Sequence, residues 1–122
     1  MNNKKLPRIQ RMVKRAQKSL NLASYRIKSQ IQDAESSKYA EINYEHPKRT
    51  ATIVFNRKKI DEELENTIIH ELLHLFFNKH LGVAENAFKR QKRHRSLKKY
   101  QKGEEKAINI LASLLEKAIF GG

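Results

Sequence analysis

The chain has 122 residues, 39% apolar and 32% charged, with 26 Lys and Arg against 13 Asp and Glu and no cysteine. That length suits one domain over residues 1–122 with a small core, and the lack of cysteine excludes disulfides and thiolate metal sites, leaving His, Asp and Glu to hold any transition metal. The formal net charge of +13 suggests attraction to nucleic acid or an acidic partner, or serves solubility alone; no apolar run is bilayer-length and no signal core follows the basic N-terminus, so a soluble, cytoplasmic chain without a membrane partner is expected.

Residues 6–22 predict an amphipathic helix. Leu6, Ile9, Met12, Val13, Ala16 and Leu20 recur at three- and four-residue steps, and Pro7 suits the first turn. The opposite face is basic, and no acid occurs before Asp33. "SYRIKSQIQ" then alternates, with Tyr25, Ile27 and Ile31 on one side, as a strand does. "KYAEINYEHPKRTATIVFN" reads as a hairpin: Ala40, Ile42 and Tyr44 alternate on one arm, Ala51, Ile53 and Phe55 on the other, and "EHPKR" turns between them. The sheet is therefore expected to be small and antiparallel.

Asp61 has the character of a helix N-cap, with Glu62 and Glu63 in the first turn. The helix is expected to end near Lys79, with Gly82 as terminator. Ile68, Ile69, Leu72, Leu73, Leu75, Phe76 and Phe77 make it apolar nearly all round, so it should be buried on most sides. Residues 83–101 read as a polar connection carrying a second basic cluster, "KRQKRHRSLKKYQK". A last helix is expected over 103–120, with Ala107, Ile108, Leu111, Leu115 and Ile119 as its core stripe. The fold class is thus α+β.

The buried helix carries "HELLH", residues 70–74. Positions four apart on a helix differ by about 40°, so His70 and His74 stand on one face and can both reach one Zn2+ at about 2.0–2.1 Å. Glu71 is rotated about 100° from His70, beside such an ion, where a carboxylate can serve as general base. Two His and a Glu in the most apolar helix cost desolvation energy unless something binds them. A hydrolytic zinc takes a third protein ligand. His80 has the H-x5-H spacing of the metzincins and of bacterial RNA-processing metal hydrolases, but needs a helix break after His74, where Phe77 stands and Gly82 comes too late. Glu104 and Glu105, expected at the start of the last helix, are the other candidates, in the arrangement of thermolysin-like zincins. Glu105 has the added support of Asn109 one turn on, which could hydrogen-bond a zinc-bound His; Glu104 shares its face with Ile108 and Leu111. As an alternative to ligation, an acid pair at a helix start interacts with the dipole.

"TIIHELLHLFF" followed by "EEKAINILASLL", after "AEINYEHPKRTATIVFN", resembles the small gluzincin-type metallopeptidase domains of phages and other mobile elements, over roughly residues 20–120. The resemblance implies a minimal zincin-like fold: an N-terminal helix, a small antiparallel or mixed sheet of three or four strands, a buried active-site helix and a C-terminal glutamate helix. It implies zinc on His70, His74 and Glu105, Glu71 as general base, and a peptide or protein substrate added along an edge strand, Thr50–Asn56. His94 and Tyr100 could stabilise an oxyanion or belong to the basic surface. Two other functions compete with a zinc peptidase. One is a nucleic-acid-associated protein of a mobile element with a structural or vestigial metal, binding through its basic clusters; the other is a metal-dependent RNA hydrolase using His80.

Overall fold

The structure, a computed structural model, describes residues 2–33, 38–90 and 94–121, with side chains described outside 2–4, 80–97 and 100. Three helices and one mixed three-stranded sheet follow in the order α1 (Asn2–Ser19), β1 (Arg26–Gln32), β2 (Ala40–Glu45), β3 (Thr50–Asn56), α2 (Leu64–Arg90) and α3 (His94–Phe120). The class is α+β, as expected. Among the described residues no helix is long and apolar enough to cross a membrane.

Helix α1 buries Ile9, Val13 and Ala16 and exposes Lys5, Arg8, Arg11, Lys14, Arg15 and Lys18, as the periodicity requires. Its limits differ from the expected 6–22. It starts a turn earlier, so Pro7 lies inside it and forfeits one main-chain bond. It ends at Ser19 in a Schellman turn: Asn21 takes φ 59, and Leu22 N–H donates to Gln17 C=O at 2.7 Å while Asn21 N–H donates to Lys18 C=O at 3.3 Å. Leu22 is fully buried behind this turn. The Gln17 amide donates to the carbonyls of Leu22 (3.1 Å) and Tyr25 (2.8 Å), tying the turn to the start of β1.

The strand order is β1-β3-β2. β1 runs parallel to β3 and β2 antiparallel to it. The hairpin turn occupies residues 46–49, with Arg49 at φ 52. Pairing places Ile27, Ala51 and Tyr44 in one row and Ser29, Ile53 and Ile42 in the next, so one face of the sheet is apolar. This face meets the helices in a single cluster that also holds Ile9, Ile69, Leu72 and Ile108. β3 is the central strand, which corrects the expectation that Thr50–Asn56 lies at an edge. The charges mark the difference: β3 has none, whereas β1 carries Arg26 and Lys28 and β2 carries Glu41 and Glu45. Edge strands tolerate such charges and are protected by them.

Helix α2 begins after Glu63 (φ 48), whose carbonyl accepts the Thr67 N–H at 2.9 Å. Asp61 is therefore not the N-cap; its carboxylate meets Lys5 Nζ at 2.8 Å and joins α1 to the helix entry. Gly82 does not terminate α2, which runs on to Arg90, and the expected connection at 83–101 is mostly helix. A glycine inside a helix costs only about 1 kcal/mol, a cost that the helix formers Ala84 and Glu85 beyond it offset. Likewise α3 starts at His94 and passes through Gly103. Glu104 and Glu105 therefore stand more than two turns inside α3, beyond the reach of its N-terminal dipole.

Candidate metal centre

Helix α2 presents His70 and His74 toward α3 and the edge strand β2, with side chains 25% and 30% exposed. Their Nε2 atoms face each other at 3.2 Å. From α3, Glu105 places Oε1 3.1 Å from His70 Nε2 and Oε2 3.3 Å from His74 Nε2. Glu105 is positioned by the stripe that packs α3 on the core: Ile108, Ala112 and Ile119 are buried at offsets of three, seven and fourteen residues from it. Those offsets lie on one helical face.

Two imidazole nitrogens and both oxygens of one carboxylate thus converge from two helices. Four ligands at 2.0–2.1 Å around a tetrahedral ion stand about 3.3 Å apart. The 3.2 Å between the two imidazole nitrogens matches that edge, and each nitrogen lies 3.1 or 3.3 Å from a different oxygen of Glu105. Burial lowers the pKa of His74, His70 lowers it further, and Glu105 works in the opposite direction. The result favours the neutral imidazole, the form that can bind a cation.

Glu71 completes the group. Its ligand oxygen lies with His70 and His74 atoms inside a 4.8 Å sphere of mutual distance, a looser limit than the Glu105 contacts. The carboxylate in direct contact with both imidazoles is that of Glu105. Glu71 is 6% exposed, and its pKa is raised to about 8, first by burial and then by the Glu105 and Glu41 carboxylates, with Lys38 opposing.

These side chains line a cavity of about 840 Å3 between β2 and the two helices, with Asn66, Thr67 and Asn109 in its walls. Asn109 makes no hydrogen bond to either imidazole among the described residues, so it is a wall residue and not the expected support. A second cavity of about 240 Å3 opens on the other side of His74, lined by Tyr44, Asn78, Gln101 and Glu104. Glu104 faces this second space; of the acid pair, only Glu105 bridges the two histidines.

His80 lies on the uninterrupted α2, where six residues carry the backbone about 9 Å beyond position 74. The break required by an H-x3-H-x5-H site is missing, so the arrangement with His80 as third ligand does not form. His94 and Tyr100 lie outside the residues with described side chains.

One relevant residue escaped sequence reasoning. His46, in the hairpin turn, accepts the Tyr25 hydroxyl at Nδ1 (2.6 Å) and donates from Nε2 to Asn78 Oδ1 (2.7 Å). The Asn78 acceptor fixes this tautomer. Burial raises the Tyr25 pKa, against the pull of Arg49, which keeps its hydroxyl protonated for this bond. Asn78 stands one turn after His74, so the network anchors the hairpin, and with it β2, to the histidine helix. The sequence signal was Asn78 directly after the apolar run Leu75-Phe76-Phe77.

The edge of β2 borders the large cavity along residues 38–44. The Asn56 N–H bonds to the Tyr39 carbonyl at 2.9 Å, which sets the phase of the antiparallel ladder. By alternation, the main-chain groups of Ala40 and Ile42 point away from β3, toward the open edge.

No protein-family model, no characterised protein and no solved structure matches this chain.

Proposed function

We propose that the protein is a zinc-dependent peptidase of the gluzincin type, built on a minimal zincin-like fold, with His70, His74 and Glu105 holding the metal and Glu71 acting as general base. One observation carries this assignment: the His70 and His74 Nε2 atoms stand 3.2 Å apart, and the Glu105 carboxylate spans them with one oxygen at 3.1 Å and the other at 3.3 Å, in the wall of a substrate-sized cavity. Bound zinc supplies Lewis acidity, acidifying water and polarising a carbonyl.

The chain's own residues supply the rest. The Glu71 carboxylate takes a proton from the attacking water as the new C–O bond forms. It returns that proton to the amide nitrogen as the C–N bond breaks, so one group serves as base and then acid. Its buried place beside Glu105 and Glu41 makes it a strong base. Positive charge held by the three ligands opposes that shift and keeps it ionised at neutral pH. The free main-chain groups of Ala40 and Ile42 suit an extended peptide lying as a fourth strand against β2. The substrate strand is thus β2, not Thr50–Asn56.

The test is metal content together with cleavage of a quenched fluorescent peptide library. Chelated and reloaded wild-type protein should hold one zinc per chain and cleave. Glu71→Gln should keep the zinc and lose about 10²–10⁴-fold in rate. Glu105→Ala should lose zinc affinity by at least about 100-fold, the upper range for outer-shell partners alone. A wild-type chain that takes up no zinc, or a Glu71→Gln variant that cleaves normally, defeats the assignment.

A further inference from the structure

The cleft uses no residue of α1 among those described, yet α1 carries five exposed cations within eleven residues, Arg8 to Lys18. Arg8, Arg11, Lys14, Arg15 and Lys18 are all exposed. At 100° per residue they fall within an arc of about 120°, opposite Ile9, Val13 and Ala16. From Arg8 to Lys18 the ridge is about 15 Å long. The helix contains no acid, and none of the five makes an ion pair among the described residues. Arg15 rests 5.9 Å from the centre of the Phe120 ring, and the Lys5–Asp61 pair lies off the ridge. Arg8/Arg11, Arg11/Lys14, Arg11/Arg15, Lys14/Lys18 and Arg15/Lys18 are like-charge neighbours at three- and four-residue spacing, an arrangement that repels itself until a polyanion binds.

The chemistry of the ridge narrows the partner. α1 has no aromatic residue, so single-stranded bases find no stacking platform. Its apolar stripe is consumed by the core, so it has no face to insert into lipid. What remains is a straight rod of long cationic side chains. That matches the phosphates of a duplex, which present one charge per about 1.7 Å of axis. We propose that the outward face of α1 docks duplex nucleic acid through its phosphates, without reading base sequence. Because ridge and cleft share no residue, both can be occupied at once. The inference is independent of the peptidase assignment.

The test uses the full chain and fluorescence anisotropy between 50 and 300 mM KCl (conditions chosen as roughly bracketing physiological salt). The probes are a fluorescein-labelled mixed-sequence DNA duplex, an RNA duplex of the same sequence, and phosphatidylserine-containing vesicles. Four or five phosphate contacts predict a slope of log affinity against log salt of about −4 on a duplex. Binding to DNA, to RNA or to both supports the inference and identifies the source. Lys14→Gln and Lys18→Gln should each reduce the slope by about 1. The combined Arg11→Gln, Lys14→Gln, Lys18→Gln chain, with unchanged helicity, should bind at least about 10-fold more weakly at 0.1 M salt. Lys98→Gln with Lys99→Gln, in the other basic segment, should leave the slope as it was. Wild-type slopes in both α1 single variants, binding to vesicles alone, or no salt-dependent duplex binding would each overturn it.

Discussion

Helices α1 and α2 pack against the same apolar core, but they treat their polar side chains in opposite ways. α1 sorts them: the core takes Ile9, Val13 and Ala16, and water takes the five basic residues of the ridge. Its one buried polar side chain on this stripe, Gln17, is satisfied by two carbonyls. α2 cannot sort, because Ile68, Ile69, Leu72, Leu73 and Leu75 surround it with core. Of its polar residues Glu71 is buried, and His70, His74 and Asn78 are half-buried. A polar residue on α1 reports solvation; a polar residue on α2 reports a site.

The largest expected contrast comes from the core side. Ile69→Ala on α2 should lower unfolding free energy by about 2–5 kcal/mol, against about ±0.5 kcal/mol for the exposed Lys14→Ala on α1. Urea titration of both variants tests this, and equal losses would mean that α2 is less enclosed than its burial implies.

Next comes the buried carboxylate. Glu71 has an unfolded value near 4.5 and is raised to about 8 in the metal-free fold. Between those values the folded state binds more protons than the unfolded one, so stability contributed by neutral Glu71 is complete below 4.5 and lost as pH rises through 8. His74, with its lowered pKa, acts oppositely, losing stability as pH falls below the usual histidine range. The difference between wild type and Glu71→Gln isolates the carboxylate. In chelated protein the variant's advantage should grow by a few kcal/mol from pH 4 to pH 9. A difference that stays flat with pH would place Glu71 in water.

A smaller effect is expected from the partnered polar network. His46→Ala leaves the Tyr25 hydroxyl and Asn78 without their partner and should cost about 1–3 kcal/mol. It should also loosen β2 relative to α2, visible as faster amide exchange in residues 40–45. The smallest is on the solvent side: Asp61→Asn removes the ion pair with Lys5, whose side chains are 45% and 78% exposed. It should shift stability by no more than about 1 kcal/mol, and 0.5 M salt should erase the difference.

Much of this organisation is visible in the periodicities. The α1 stripe, the two alternating arms of the hairpin and the enclosed α2 each follow from which residues recur at steps of 3.6 or 2. The element ends do not, because Gly82 and Gly103 carry a stop signal only where the chain has reason to turn, and here it continues as helix. The central place of β3 was hinted at by its lack of charge, but the parallel pairing with β1 that makes it central is a long-range event. The choice between Glu104 and Glu105 had a local clue in the 105, 108, 112, 119 spacing. An amphipathic pattern centred one residue away would have favoured Glu104 equally well.

The sequence alone determined that two imidazoles and a carboxylate share a buried helix, because helical geometry at four-residue spacing is a property of the chain itself. It also determined the unbroken basic face of α1. Only the tertiary structure decided that Glu105 meets both imidazoles, that β2 borders the cleft and that His46 ties the two together. Those depend on how α3 is rotated on its axis and on which strand lies at the sheet edge. Both are fixed by packing among residues distant in sequence.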